Sequence, residues 1–347
     1  MSCTASVKSV TAERIWSSSE SPPQAETPSA TALRSVGSSA RFASPERIPR
    51  RGWHAGGVTL CAEVRGNATE IAAAARWVAI DLDALGRVEP GPAPALDPER
   101  HFLEGTSEQV GLYVLTLDAI NFGSGWFPTL RKRPGCSGYF TVAWALADRF
   151  RRDGPWSVQE LRELDAAALA RVLGQGPDHE LMGLYAHALN DLGAFLGERT
   201  ATEAIAAAGG SAERLASQLA AGMPFFDDRG FYKRAQIVPS DLALAGVATF
   251  GDLDELTIFA DNLVPHVLRL DGVLRYDPGL AARIDAGELL EPGEQEREIR
   301  ACAVHACELI AQRLGIAPRV LDTWLWSRGQ AAGYKAVPRH RTRSVYY

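Results

Sequence analysis

Residues 255–274 read ELTIFADNLVPHVLRLDGVL. Leu256, Ile258, Phe259, Leu263 and Val264 make the stretch apolar, yet Asp261 stands in its middle and Pro265 follows four residues later. A helix running unbroken through residues 256–270 fails on physical grounds. Pro265 has no N–H to donate to the carbonyl of Asp261, and its ring crowds that carbonyl. Either a helix begins between Asp261 and Pro265, or a helix is kinked there. Both alternatives put the Asp261 carboxylate at an irregular point near free N–H groups, where helix-end electrostatics favour an anion. Asp261 then reads either as a plain N-cap or as an acid of a functional site.

Helical patterning extends outward from this stretch in both directions. On the C-terminal side, EQEREIRACAVHACELIAQRLG predicts a long amphipathic helix closed by Gly315, and RVLDTWLWSRGQAAG predicts another. On the N-terminal side, SEQVGLYVLTLDAINF begins with Ser107 as a cap and is apolar at Val110, Val114, Leu117 and Ile120. SGYFTVAWALADRF, SVQELRELDAAALARVLG and HELMGLYAHALNDLGAFLG each read as one helix, the second with Ser157 and Glu160 at capping-box spacing. ATEAIAAAGGSAERLASQLAAG reads as two short helices split by Gly209 and Gly210. In NATEIAAAARWVAIDL, Ile71, Ala75 and Val78 share a helical stripe, with Asn67 as the N-cap. No alternation of short strands with helices suggests a parallel sheet. The expected fold is all-α, with on the order of ten helices or more.

The chain has 347 residues, 46% hydrophobic and 22% charged, enough for one large domain or two lobes. Residues 1–65, rich in Ser, Ala, Pro and Arg, read as a disordered or atypical tail, and residues 66–347 as the folded domain. A formal net charge of −6 gives no electrostatic reason to seek duplex nucleic acid or anionic lipid. The five cysteines lack metal-ligand spacing and predict free thiols in a reducing compartment. No apolar run is long enough to span a bilayer, and no secretory signal is visible, so the expected location is cytoplasmic.

A second acid repeats the pattern of the first. In RVLDTWLWSRG, Asp322 and Trp326 are four apart, as are Thr323 and Ser327, so one helical face carries a carboxylate, two hydroxyls and an indole. That face suits either a packed helix end or the edge of a purine-like base. Asp118 also sits inside an apolar helix, as a structural acid or as part of a site. Lys233 and Arg234 lie beside Phe231 and Tyr232, and Arg339, His340, Arg341 and Arg343 form a basic segment. Cations beside aromatics suit a phosphate and a base, or a solvated surface. His101 precedes a helix, where it either donates to a ligand or caps a turn. Cys302, His305 and Cys307 are not on one helical face and read as core. Dinucleotide, P-loop, zinc-protease and serine-hydrolase motifs are all missing from the sequence. The remaining acids, aromatics and cations fit hydrolysis of a glycosidic bond, where a carboxylate faces positive charge developing on a sugar.

The blocks FYKRAQI, LTIFADNLVPHVL, GVLRYDPGL, REIRACAVHACELI, LDTWLW and PRHRTRSVYY, with LTLDAINFGSGWFP, resemble the queuosine salvage family, queuosine 5′-phosphate N-glycosylases, over roughly residues 66–347. The resemblance implies a bilobal helical fold similar to helix-hairpin-helix DNA glycosylases, with a cleft between the lobes. It implies hydrolysis of queuosine 5′-monophosphate to queuine and ribose 5-phosphate, with no metal and no organic cofactor. It puts the catalytic acid on Asp261 and the neighbouring aromatic on Phe259. Substrate contacts fall on His101, on the base-contacting acid Asp322, and on Thr323 and Ser327. The last two are smaller and neutral where the family often has Tyr and an acid. Lys233 is the candidate for the 5′-phosphate. The competing class is a base glycosylase of the same fold acting on DNA, which a duplex-binding basic face would favour. A non-enzymatic helical interaction protein is the third class.

Overall fold

The computed structural model describes residues 58–347, and most of the tail expected over residues 1–65 lies outside them. Residues 60–65 of that expected tail are helical. Thr59 caps the first helix, α1 (Leu60–Ala73), by accepting the N–H of Ala62. The predicted N-cap Asn67 is therefore mid-helix, where its side-chain amide donates to the carbonyl of Gly230 at 2.9 Å.

The chain continues through α2 (Ser107–Ala119), α3 (Gly138–Asp153), α4 (Val158–Glu163), α5 (Ala166–Leu173) and α6 (Glu180–Leu196). It then forms α7 (Ala201–Ala206), α8 (Ala212–Gly222), α9 (Lys233–Leu244), α10 (Leu263–Leu270) and α11 (Pro278–Asp285). The last helices are α12 (Glu294–Leu314), α13 (Pro318–Arg328) and α14 (Ala332–Lys335). The mainly helical class is thus as expected. Sequence-local chemistry sets many of the boundaries. Capping boxes start α2 at Thr106, one residue before the expected Ser107, α4 at Ser157 and α7 at Thr200. Gly315 closes α12 in the left-handed conformation (φ 65°), where a side chain would be strained.

Two elements differ from expectation. The helix expected over residues 157–174 is broken at Leu164, because Asp165 accepts the N–H of Ala168 and starts α5 afresh. The stripe through Ala75 and Val78 leaves α1 at Ala73. Val78–Ile80 forms a strand, β1, that pairs antiparallel with β2 (Leu274–Tyr276), with Val78 opposite Tyr276. The cause is remote: the Glu298 carboxylate on α12 accepts the N–H groups of Arg76, Trp77 and Val78 at 2.9, 2.5 and 2.7 Å. Strands of three residues are too short to show an alternating pattern.

α2 packs against α3, α6, α7 and α9, while α12 packs against α1, α10 and α13. Residues 339–347 run between these elements. Gly125 permits the passage, since a Cβ there would lie 2.5 Å from the carbonyl oxygen of Thr342. Gly123 N–H donates to the carbonyl of Tyr347 at 3.0 Å. Cys61, Cys302 and Cys307 are free, buried thiols in the core. No helix among the described residues is long and apolar enough to cross a membrane.

Candidate active site

Asp261 occupies the turn that Pro265 demands. Its Oδ1 accepts the N–H groups of Leu263 and Val264 at 2.7 and 3.0 Å, and α10 starts there. Pro265 falls in the first turn of α10, where an N–H has no intrahelical partner to lose. Of the two sequence alternatives, the helix start is the one observed. The stretch leading to it is pinned residue by residue. Thr257 N–H donates to Gln236 Oε1 at 2.9 Å, Phe259 N–H to Asp322 Oδ1 at 2.9 Å, and Arg300 Nε donates to the carbonyl of Ala260 at 2.9 Å. Asn262 Nδ2 donates to the carbonyl of His340 at 3.1 Å.

This segment is one wall of a cavity of about 920 Å³. His101, Lys233, Phe259, Asp261, Asp322, Thr323 and Ser327, the seven residues for which a substrate role is expected, all line it. They come from the loop before α2, from α9, from the stretch before α10 and from α13, separated by up to 226 positions (327 − 101). The face predicted on α13 exists as expected: Asp322, Thr323, Trp326 and Ser327 all border the cavity. Trp326 meets Tyr139 and Phe140 edge-on, each with ring centres 5.6 Å apart.

Electrostatics divide the cavity. Burial, reinforced by the charge of Asp261, raises the Asp322 carboxyl well above the ordinary range. Burial lowers Lys233 to about 8, while the charge of Asp261 opposes the shift. Lys233 Nζ donates to the carbonyl of Asn121 at 3.1 Å. Tyr232, directly before it, has φ 49°, an unusual value for a bulky residue. His101 Nδ1 lies 2.9 Å from the carbonyl of Asp97, and a carbonyl only accepts, so Nδ1 carries the proton. Nε2, 3.0 Å from the Tyr139 hydroxyl, then accepts from it. Burial also lowers the His101 pKa, which keeps this ring neutral.

Arg234 departs from its sequence expectation. It is 1% exposed and donates to the carbonyls of Ala119 and Val345 at 2.6 Å, and to that of Phe225. It is an internal tie between α2 and residues 339–347, with no face on the cavity. Asp118, for which the sequence left two readings, is fully buried behind the cavity wall.

Asp241 went unnoticed in the sequence and borders the cavity. Lys233, Ile237, Ser240, Asp241 and Leu244 form one lining face of α9, a helical period that begins at Lys233 and was the available signal. Burial raises the Asp241 carboxyl from 3.8 to about 7, with the Lys233 charge pulling the other way. The raised pKa means that the folded state gains stability from the protonated form. That contribution is complete below pH 3.8 and is lost as pH rises through about 7. Asp241→Asn is therefore expected to be more stable than wild type at pH 8, by on the order of 1–2 kcal/mol. The two proteins should converge at pH 4. Urea midpoints at both pH values check this, and parallel pH profiles would contradict it.

The sequence model of the family described as queuosine salvage protein matches residues 101–347. A queuosine 5′-phosphate N-glycosylase/hydrolase from Sphaerobacter thermophilus is 34% identical over 304 residues, covering 79% of this chain and 94% of its own. Proteins of the same name from Mus musculus and Dictyostelium discoideum are 33% and 38% identical over 46% and 34% of this chain, and over 56% and 40% of their own. On the extent of these matches, the first of which takes in the α9, Asp261 and α13 walls of the cavity, the chain belongs to the queuosine salvage protein family.

Proposed function

We propose that this protein hydrolyses the N-glycosidic bond of queuosine 5′-monophosphate, releasing queuine and ribose 5-phosphate. The observation that carries this reading is the convergence of His101, Lys233, Phe259, Asp261, Asp322, Thr323 and Ser327 on one cavity in a member of this family. Its volume of about 920 Å³ is in the range of small-molecule sites. We further propose that the cavity is the cleft between the two lobes of a fold similar to helix-hairpin-helix DNA glycosylases, carried by residues 66–347 together with the start of α1. The protein acts in the cytoplasm.

In this reading the ribose C1′ faces Asp261. One carboxylate oxygen is held by the N–H groups of Leu263 and Val264, which fixes the orientation of the other. As the C1′–N9 bond breaks, the sugar becomes oxocarbenium-like, and the carboxylate stabilises that charge. Water supplies hydroxyl to C1′, and its proton ends on the departing base. The 7-deazaguanine ring has no N7 to protonate, so hydrogen bonds must spread the charge left on it. Phe259 packs on the ring. Asp322 accepts from N1–H and the exocyclic amine, two donors that offset the burial raising its pKa in the free protein, and His101, Thr323 and Ser327 supply further substrate contacts. Carboxylates, a lysine and water suffice, with no metal or organic cofactor.

The test is incubation with queuosine 5′-monophosphate, guanosine 5′-monophosphate and duplex DNA, following free base by chromatography. Queuine release from the first substrate is expected. Base release from DNA alone would replace this reading with that of a DNA glycosylase. Asp322→Asn swaps one acceptor for a donor and should lower kcat/KM by roughly 1–3 kcal/mol of lost interaction. Calorimetry of queuine binding isolates this effect, and unchanged affinity would assign base recognition to another group.

A further inference from the structure

The substrate proposed above carries a phosphate dianion a few bonds from C1′, and the cavity must hold it away from its own carboxylates. The cations that line the cavity are Arg100, Lys132, Lys233, Lys335, Arg339 and Arg341. Their surroundings separate them. Lys233 is buried, donates to the Asn121 carbonyl, and lies in the field of Asp261, Asp118 and Asp322. A dianion beside it would face those acids at close quarters. Arg100 is engaged by Asp97 at 3.3 Å and stacks on Phe140 at 4.5 Å. Lys132 and Lys335 have no side-chain hydrogen bond or salt bridge among the described residues, but both are exposed at the rim; Arg339 is equally without a side-chain partner and is half-buried in the cavity wall. A guanidinium carries five donors in a planar fork, and one left without protein partners in a cavity wall is matched to a phosphate.

Its position follows from one hydrogen bond. Asn262 Nδ2 holds the carbonyl of His340 at 3.1 Å, so Asp261 and Arg339 are each one residue from the same tie. The Asp261 charge is felt at Arg339, although the two form no salt bridge among the described residues. Arg341, two residues further, also borders the cavity, while His340 between them is turned inward and buried. Arg341 donates one N–H to the carbonyl of Gly287 at 2.8 Å, which aims the guanidinium and leaves other donors free. Leu290 N–H, donating to the Arg341 carbonyl at 2.8 Å, fixes the backbone beneath it.

We infer that Arg339, assisted by Arg341, forms the subsite for the substrate's 5′-phosphate, and that Lys233 serves the reacting end of the cavity instead. This rests on the functional reading above. It reassigns the phosphate contact expected at Lys233 and makes the basic segment at residues 339–341 part of the site.

The experiment compares kcat/KM for queuosine 5′-monophosphate and for queuosine in wild type, Arg339→Ala and Lys233→Ala. Wild type should prefer the nucleotide. Arg339→Ala should lose about 10- to 100-fold on the nucleotide and far less on the nucleoside, so that the preference narrows. Lys233→Ala should slow both substrates alike and keep the preference. A preference retained in Arg339→Ala, or lost in Lys233→Ala, overturns the inference while leaving the functional reading intact. Absence of base release from either substrate in wild type overturns the functional reading. The subsite is then judged by calorimetry with ribose 5-phosphate and with inorganic phosphate, where Arg339→Ala should bind at least about 10-fold more weakly. Equal binding would refute it. Arg339→Gln, which keeps the length of the side chain, replaces the alanine variant if that one does not fold.

Discussion

Asp261→Asn is expected to lower the turnover of queuosine 5′-monophosphate by at least about 100-fold while the protein stays folded. The geometry explains why the two effects separate. One oxygen of Asp261 caps α10 through the N–H groups of Leu263 and Val264. An asparagine keeps a carbonyl oxygen in that place, so the helix start survives. What is lost is the negative charge facing C1′ in the transition state. Asp261→Ala removes the cap as well and should cost about 1 kcal/mol of stability in addition. Single-turnover rates and thermal melts, measured together, check the prediction. A folded Asp261→Asn protein with near-normal turnover would remove Asp261 from the chemistry.

Arg300→Met is expected to destabilise the protein by about 3–5 kcal/mol, and so to show the largest folding defect of the variants considered. Arg300 is 2% exposed and lies between the rings of Phe231 and Tyr347, at 4.0 and 4.6 Å. Its guanidinium meets Asp228 at 2.5 Å and Glu296 at 3.3 Å, both buried, and donates to the carbonyl of Ala260 at 2.9 Å. Methionine fills much of the volume but leaves two acids and a carbonyl without a partner inside the protein. Arg300→Lys keeps the charge but cannot reach three acceptors in one plane, so it should fall between wild type and Arg300→Met. Because Ala260 precedes Asp261, the lysine variant should also lose activity beyond its loss of stability. Urea unfolding gives the first quantity, and kcat at a temperature well below the transition gives the second. A loss under 1 kcal/mol for Arg300→Met would show that the acids find other partners.

Much of this architecture is written in short-range chemistry. The capping boxes of α4 and α7 and the glycine that ends α12 act within a few residues of themselves, so they can be read without knowing the fold. That no regular helix runs through Asp261 follows from Pro265 alone, although the choice between a helix start and a kink does not. The lining face of α13 follows from a spacing of four, and the same periodicity on α9 would have revealed Asp241. Residues 76–78 show the opposite case. Their helical pattern yields to Glu298, more than two hundred positions away, because a buried carboxylate accepting three N–H groups outweighs a weak local propensity.

Lys233 and Arg234 mark the line between the two kinds of information. The sequence by itself determined that two cations stand together beside aromatic residues, and the structure puts them at the start of α9. The sequence also determined that a carboxylate sits at an irregular point four residues before Pro265, as a helix start or a kink. Only the tertiary structure decided what each cation does. Consecutive residues on a helix point about 100° apart. That rotation turns Lys233 toward the cavity and sends Arg234 into the interior, where the carbonyls of Ala119, Phe225 and Val345 hold it. In the non-helical stretch at residues 339–341 successive side chains alternate instead, with His340 turned inward and Arg339 and Arg341 bordering the cavity. Direction along one element is local, but the neighbours that make a direction wet, dry, paired or unpaired arrive from distant parts of the chain.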